Sequence, residues 1–236
     1  MKYDDVMKLA LERGFYFPSC EIYSDSQAGF WEYGPAGVSL KNKFLELWRR
    51  ELLRRDKMIE IDGSQIMSSS VFEASGHLTS FADPIVRCTN CKSTHRADRI
   101  IAELAKVEIP ESADLEEFDK VITEKNIKCP KCNGNFENTK KFNMMFQVGI
   151  GPEGEPAYLR PETCQSIFVD FPRLFKTMRG KLPLGVAQTG KSFRNEIAPR
   201  QSLLRLREFY QAEICLLYTS DAADEGLGVD LGGRRI

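Results

Sequence analysis

Two groups of residues in this 236-residue chain have the types and spacing that chemistry needs. The first is the stretch FRNEIAPRQSLLRLREFYQAE, residues 193–213, in which Arg194, Arg200, Arg205 and Arg207 alternate with Glu196, Glu208 and Glu213. Two strands joined by a loop of about eight to ten residues, with an arginine at the end of each, would make a clamp. Antiparallel pairing brings the strand ends together, with neighbouring strands about 4.8 Å apart. A guanidinium fork binds phosphate through two hydrogen bonds and keeps its charge at any relevant pH. Glu196 follows Arg194 at the spacing that shares one face of a strand, where it could orient an arginine or accept from an amine such as adenine's. The bland alternative is a solvated hairpin whose surface ion pairs are worth about 0–1 kcal/mol each.

The second group is four of the seven cysteines, in the pairs Cys88-x2-Cys91 and Cys129-x2-Cys132. Each pair can chelate Zn2+ through two thiolates, and all four would close a tetrahedral structural site. The 37 residues between Cys91 and Cys129 exceed the gap of a small ribbon. Loop closure entropy grows slowly with length, so the spacing permits the site. Redox or unliganded cysteines are the alternative. Cys20, Cys164 and Cys215 have no partner at a useful spacing and read as buried thiols. His95 would be a spare ligand beside four cysteines, and His77 reads as a turn residue.

The bulk composition sets limits on both groups. Hydrophobic residues are 42% and charged residues 28%, with a net charge of −1. No chain-wide cationic field exists to draw nucleic acid, so any anion site must be local. No apolar run approaches the roughly 18 residues of a membrane span. The N-terminal MKYDDVMKLALERGF lacks a signal-peptide apolar core. A cytoplasmic protein without membrane attachment is expected, and CxxC pairs in such a compartment favour metal over disulfides.

Several elements must position these groups. Residues 3–13 have helix spacing, and GFYFPSCEIY and GFWEYGPAGV read as short strands and turns. Over residues 37–55, Val38, Leu40, Phe44, Leu47, Trp48 and Leu52 fall on one helix face. MIEIDGSQIM reads as one strand. A charged, helix-prone segment, ESADLEEFDKVITEKNI, lies between the two CxxC pairs. Strands follow at KFNMMFQVGI and PAYLRPET, a helix at CQSIFVDFPRLFKTM, and strands at GVAQTGKSFRNEI and RLREFYQAEI. Few strand–helix–strand repeats occur, so an α+β class with an antiparallel sheet is expected.

FRNE, a loop and then RxREF resembles motif 2 of class II aminoacyl-tRNA synthetases. RGFYFPSCEIY, GFWEYGPAGVSLKNKF, EASGHLTSFADP, RADRI, YLRPETCQSIFVDF and LPLGVAQTGKSFRNE are similar, in that order, to glycyl-tRNA synthetases of the dimeric, archaeal and eukaryotic type. The resemblance covers about residues 1–214 apart from the middle of the cysteine-bounded stretch. It implies a class II antiparallel sheet flanked by helices, incomplete here, with a small zinc-ribbon-like insertion. It implies ATP-dependent ligation of glycine to tRNA(Gly) through a glycyl-adenylate, with Mg2+. By position, Arg194 would hold the α-phosphate of ATP, with Arg207 as the second arm. Arg194, Asn195 and Glu196 would contact ATP, and Leu204, Arg205, Leu206, Arg207, Glu208 and Phe209 would complete that site. Phe209 would stack under adenine. Arg96, Glu162, Phe209, Tyr210, Gln211, Ala212 and Glu213 would face glycine, although Glu162 also suits the first turn of a helix. Residues 40–55 would correspond to motif 1, a homodimer interface burying Phe44 and Trp48. A zinc-binding insert at Cys88, Cys91, Cys129 and Cys132 fits the same relatives.

The chain is therefore expected to divide into two catalytic parts, 1–87 and 133–214, around the insertion 88–132. Residues 215–236 lose the family pattern and resemble a translated sequencing-library adapter; a natural divergent end is the alternative. Motif 3 and an anticodon-binding domain are not seen in the sequence, so little or no activity is expected of this polypeptide alone. The alternative function is a non-catalytic synthetase paralogue acting as a zinc-bearing module that binds RNA or a protein partner.

Overall fold

A computed structural model describes residues 3–110, 113–199 and 202–218. Arg200 and residues 219–236 of the expected foreign tail lie outside the described residues. The chain forms two compact units. The first comprises the described residues of Met1–His77, Met145–Arg194 and Pro199–Ile236; the second comprises those of Leu78–Met144 and Asn195–Ala198.

The first unit opens with α1 (Tyr3–Glu12), β1 (Tyr16–Pro18), β2 (Trp31–Tyr33) and α2 (Pro35–Trp48), which runs on as a π-helical turn, Arg49–Arg54. Next come β3 (Ile59–Ile61), β4 (Ile66–Ser68) and α3 (Ser69–Ala74), with α4 (His77–Ser80) starting at the boundary. The second unit holds β5 (Ala82–Arg87), β6 (Thr94–Arg96), α5 (Ala97–Ala105), α6 (Leu115–Glu124) and β7 (Lys140–Asn143). The first unit resumes with β8 (Phe146–Ile150), β9 (Glu155–Leu159), α7 (Cys164–Thr177), β10 (Leu184–Phe193) and β11 (Glu208–Leu217). No helix among the described residues is long and apolar enough to cross a membrane.

The expected α+β class holds, with antiparallel pairing dominant. β10 and β11 pair antiparallel from Leu184↔Leu217 to Phe193↔Glu208. β3 joins the other edge of β10 in parallel, through Val186↔Ile59 and Gln188↔Ile61, an exception to an all-antiparallel sheet. β4, β9 and β8 form a separate antiparallel sheet, and β1 pairs with β2. MIEIDGSQIM is therefore two strands in two sheets, broken between Ile61 and Ile66. The break lies at Gly63, whose carbonyl accepts from Arg160 Nη1 at 3.0 Å.

The helix expected over residues 37–55 forms. Pro35 sits at its first position, where the fixed φ suits a helix and no N–H is lost. Most of its apolar stripe is left open by the described residues: Phe44 is 60% exposed, and Val38, Leu40 and Leu47 are exposed as well. Trp48 is half-buried. The helix is held instead at its start, where Gly37 is buried, and through Lys41, whose Nζ lies 3.9 Å from the centre of the Tyr210 ring.

Each unit has its own interior, and the first buries more polar groups. In the second unit Val86, Ala97, Ile100, Ile101, Ile109, Phe118 and Ile127 form an apolar core between α5, α6 and the sheet. In the first unit, buried Arg160, Thr163, Gln165, Ser166, Gln188 and Ser192 accompany Ile167, Val186 and Ala187. Buried polar groups need partners, and most have them here, although Arg160 Nη2, Gln165 Oε1 and Ser166 Oγ have none among the described residues. Arg160 is fully buried; its Nε donates to the Lys191 carbonyl at 2.9 Å, alongside the bond to Gly63. Burial pulls its guanidinium below the usual arginine range, while the fields of Asp62 and Glu213 act in the opposite sense. Gly190 lies against Arg160 Nη2 with no room for a Cβ. Gly190→Ala is therefore expected to destabilise the protein by about 1–3 kcal/mol, because the guanidinium cannot retreat without losing both carbonyls. A urea-unfolding midpoint equal to wild type would contradict this.

Candidate active site

The arginine hairpin forms, with longer reach than its sequence suggests. β10 ends at Phe193 and β11 begins at Glu208, so residues 194–207 make a 14-residue connection rather than about ten. Arg194 adds one more rung, donating its N–H to the Arg207 carbonyl at 2.9 Å. Asn195 then leaves the ladder, its N–H going to the Met144 carbonyl at 2.8 Å. Glu196 is thus beyond the strand and does not share a strand face with Arg194. Asn195 and Glu196 fall in the second unit.

The backbones of Arg194 and Arg207 meet across the hairpin mouth, and their guanidinium groups donate to different carbonyls. The Arg194 Nε donates to the Pro161 carbonyl at 3.1 Å, and its guanidinium lies 5.4 Å from the centre of the Phe209 ring. Arg207 is tied to the N-terminal segment: its N–H donates to the Gly29 carbonyl at 2.8 Å and its Nη1 to the Ala28 carbonyl at 2.9 Å. Gly29 has φ +90° and packs on Pro199, so neither its conformation nor its surroundings suit a larger residue. Leu206 is buried, Arg205 is partly exposed, and Leu204 is 73% exposed in a short 3-10 turn.

Strand periodicity separates the residues of β11. Phe209, Gln211 and Glu213 share a face with Ser192, Gly190 and Gln188 across the ladder. On that face the Ser192 hydroxyl donates to Gln211 Oε1 at 2.6 Å, and the Thr163 hydroxyl donates to Glu213 Oε2 at 2.6 Å. Glu208, Tyr210 and Ala212 lie on the opposite face. There Glu208 pairs with Lys191, and Tyr210 sits under Lys41 and beside Tyr33. Of the residues expected on the glycine side, the structure brings together Glu162, Phe209, Gln211 and Glu213. Tyr210 and Ala212 point away from them. Arg96 lies in the second unit, bridging Asp83 at 3.0 Å and Asp98 at 2.8 Å.

Glu162 is held by three donors on one oxygen. Its Oε1 takes all of its hydrogen bonds among the described residues: from Gln165 Nε2 at 2.7 Å, Cys164 Sγ at 3.2 Å and His77 Nε2 at 3.2 Å. Oε2 has no such partner. Burial opposes ionisation, yet the donors, led by His77, hold the carboxyl down at about 2. Burial pushes Glu213 the other way, and the nearby Glu162 charge adds to the rise, against the Thr163 hydroxyl. Burial also pushes up the Cys164 thiol, with the charges of Glu162 and Glu213 adding to it. Two carboxylates, each with one oxygen anchored, thus share a partly buried site that favours a cation. His77 and Gln165 contact Glu162 and Thr163 contacts Glu213, partners that the sequence did not point to. The one available signal was the polar run from Arg160 to Ser166 directly ahead of an apolar helix face.

The cysteines of the second unit form two equivalent turns. Cys88 N–H donates to the Ser93 carbonyl and Cys129 N–H to the Gly134 carbonyl, each at 2.9 Å. In each turn the residue after the second cysteine is left-handed: Lys92 at φ 58° and Asn133 at φ 59°. The four sulfurs lie within 4.8 Å of one another. Cys88 and Cys132 are 3.4 Å apart, and Cys91 and Cys129 are 3.7 Å apart. Zn–S bonds of about 2.3 Å in a tetrahedron put sulfurs about 3.8 Å apart, so the four thiols fit that ion. A hydrogen bond from the Ser93 hydroxyl lowers the Cys91 thiol to about 6, while the Gly134 amide acts to lower Cys132 but the neighbouring Cys88 and Cys91 sulfurs push it up to about 11.

No family model matches the chain. Over 213 residues it is 45% identical to a glycine–tRNA ligase of Methanothrix thermoacetophila, covering 90% of this chain and 36% of that protein. It is 47% identical over 213 residues to a glycine–tRNA ligase of Methanocaldococcus jannaschii, covering 90% and 37%. Among solved structures, it resembles one described as the RNA binding domain of threonyl-tRNA synthetase from Cryptosporidium parvum Iowa II. There the TM-score is 0.50 at 21% identity, over 88% of this chain and 36% of the other. Prolyl-tRNA synthetase of Cryptosporidium parvum, complexed with halofuginone and AMPPNP, gives a TM-score of 0.51 at 13% identity, over 95% and 31%. These two likenesses speak to the fold alone. The chain spans about a third of the length of the curated relatives it matches, at 36–37%. Over the 213 residues matched, at 45–47% identity, the chain is similar to glycine–tRNA ligases.

Proposed function

We propose that this chain carries the ATP clamp and the glycine-binding acids of a glycine–tRNA ligase, which joins glycine to tRNA(Gly) through a glycyl-adenylate. The observation that carries the reading is Glu162, anchored through Oε1 with Oε2 open, on the same side of the hairpin as Glu213. Glycine offers only an ammonium and a carboxylate, so recognition must come from acids gripping the ammonium and a pocket too small for a methyl. One methylene discriminates by only about 1–3 kcal/mol through attraction, and exclusion must do the rest. Glu162 and Glu213 take the ammonium, with Gln211 beside them. Arg96, Tyr210 and Ala212 act on glycine less directly.

Arg194 and Arg207 flank the α-phosphate, and Phe209 supports the adenine. Asn195, Glu196, Leu204, Arg205, Leu206 and Glu208 complete the nucleotide surroundings. The glycine carboxylate oxygen attacks the α-phosphorus, the bond to the β-phosphate oxygen breaks, and pyrophosphate leaves with the electron pair. Arginines placed where charge gathers stabilise that step without a side-chain nucleophile. Mg2+, when bound, supplies neutralisation of the leaving phosphates. A terminal ribose hydroxyl of tRNA(Gly) then attacks the glycyl carbonyl, and AMP departs.

We further read Cys88, Cys91, Cys129 and Cys132 as a structural Zn2+ site. We read the exposed stripe of α2 (Leu40, Phe44 and Leu47) as the surface buried in a homodimer, and the chain as cytoplasmic. The division into 1–87, 88–132, 133–214 and 215–236 belongs to the same proposal. Residues 215–217 complete β11, paired with Val186 to Leu184, whatever their origin. The test is calorimetric titration of the chain with a sulfamoyl analogue of glycyl-adenylate. Saturable binding is expected, with the alanyl analogue at least about tenfold weaker. No binding, or equal binding of the two, overturns the reading.

A further inference from the structure

We infer that His77 is a positioning residue: it pins one oxygen of Glu162 so that the other faces the ammonium of the bound amino acid. The inference rests on the reading of Glu162 as the ammonium acceptor. A carboxylate turns easily about its terminal bond, and either oxygen can then face the ligand. Three donors on one oxygen remove that freedom. Gln165 and Cys164 lie in the same short segment as Glu162, and they move with it. His77 comes from a distant part of the chain and ties the acid to the end of α3 and the start of α4.

The ring is itself held from its other side. Its Nδ1 lies 2.8 Å from the Ser75 hydroxyl, and the edge-on Phe72 ring is centred 6.1 Å away. Its side chain is only 11% exposed. The neutral tautomer with hydrogen on Nε2 satisfies both contacts: Nε2–H donates to Glu162 Oε1, and Nδ1 accepts from the Ser75 hydroxyl. Gly76 at φ +73° makes the turn that sets Ser75 and His77 beside each other. The chain Ser75–His77–Glu162 thus runs from a helix end to the anchored oxygen, and the open oxygen lies at its far end.

The test compares two ligands on the 236-residue chain. One is the sulfamoyl analogue of glycyl-adenylate; the other is its acetyl counterpart, identical except for the missing amine. His77→Phe keeps an aromatic ring but removes the donor. It is expected to weaken the glycyl ligand about tenfold and leave the acetyl ligand unchanged. His77→Gln places an amide N–H near the former Nε2 and is expected to restore glycyl binding to within about threefold of wild type. Equal weakening of both ligands, or failure of His77→Gln to restore the difference, overturns the inference and leaves His77 as packing. If His77→Phe does not fold, Ser75→Ala decides. It keeps the imidazole but frees its other side, and about a threefold loss confined to the glycyl ligand is expected. No loss there overturns the inference. A wild-type chain that binds both ligands equally defeats the ammonium site itself, an outcome distinct from failure of His77 alone.

Discussion

Glu162→Gln is expected to weaken binding of the glycyl-adenylate analogue by about a hundredfold while leaving the acetyl counterpart within about threefold. Removing one partner of a desolvated ion pair costs about 3–5 kcal/mol, and about 1.4 kcal/mol is tenfold in affinity. Some of that returns here, because the amide keeps the shape and one oxygen for Gln165. The variant also has a pH signature. The folded carboxyl titrates at about 2 against an ordinary 4.5. It therefore contributes stability that is present above about pH 4.5 and is lost as pH falls through the folded value. Glu213 has the opposite sign, since its raised value makes the folded state the better proton acceptor and favours folding as pH falls. Urea midpoints at about pH 6 and about pH 3 should thus drop further in wild type than in Glu162→Gln. Equal drops would mean that the His77, Cys164 and Gln165 contacts do not hold the charged form.

Cys129→Ser, or exhaustive chelation, is expected to release one zinc per chain and lower the melting temperature by about 5 °C or more. Structural zinc in small peptides supplies about 10–16 kcal/mol of apparent folding energy. The fraction lost here is smaller, because Val86, Ile101 and Phe118 bury an apolar core without help from a metal. A few kcal/mol is the expected share, and in a chain of this size each kcal/mol moves the midpoint about 2–4 °C. The paired amides of Cys88 and Cys129 should lose protection from hydrogen exchange first, since both bonds belong to the cysteine turns. Cys20→Ser removes an exposed thiol outside the cluster and should change neither zinc content nor melting. Metal analysis that finds no zinc in the purified wild-type chain would sink the site.

Local chemistry was legible in the residues alone. CxxC spacing specified two cysteine turns, since a turn that aims two sulfurs at one point needs only that short repeat. Pro35 and the apolar spacing after it specified α2, and alternating residues with arginines at both ends specified the β10–β11 hairpin. These are short-range properties of period and backbone freedom. Partners far apart in the chain were decided by tertiary structure. At the break of MIEIDGSQIM the Gly63 carbonyl accepts from Arg160, and Asn195 leaves the ladder to donate to the Met144 carbonyl, partners far away in sequence. Only register could show that Tyr210 and Ala212 turn away from Glu213. His77 looked like a turn residue because its sequence neighbours are turn formers. It bonds Glu162 because the end of α3 is folded against the segment ahead of α7, and no local pattern encodes a hydrogen bond across that gap.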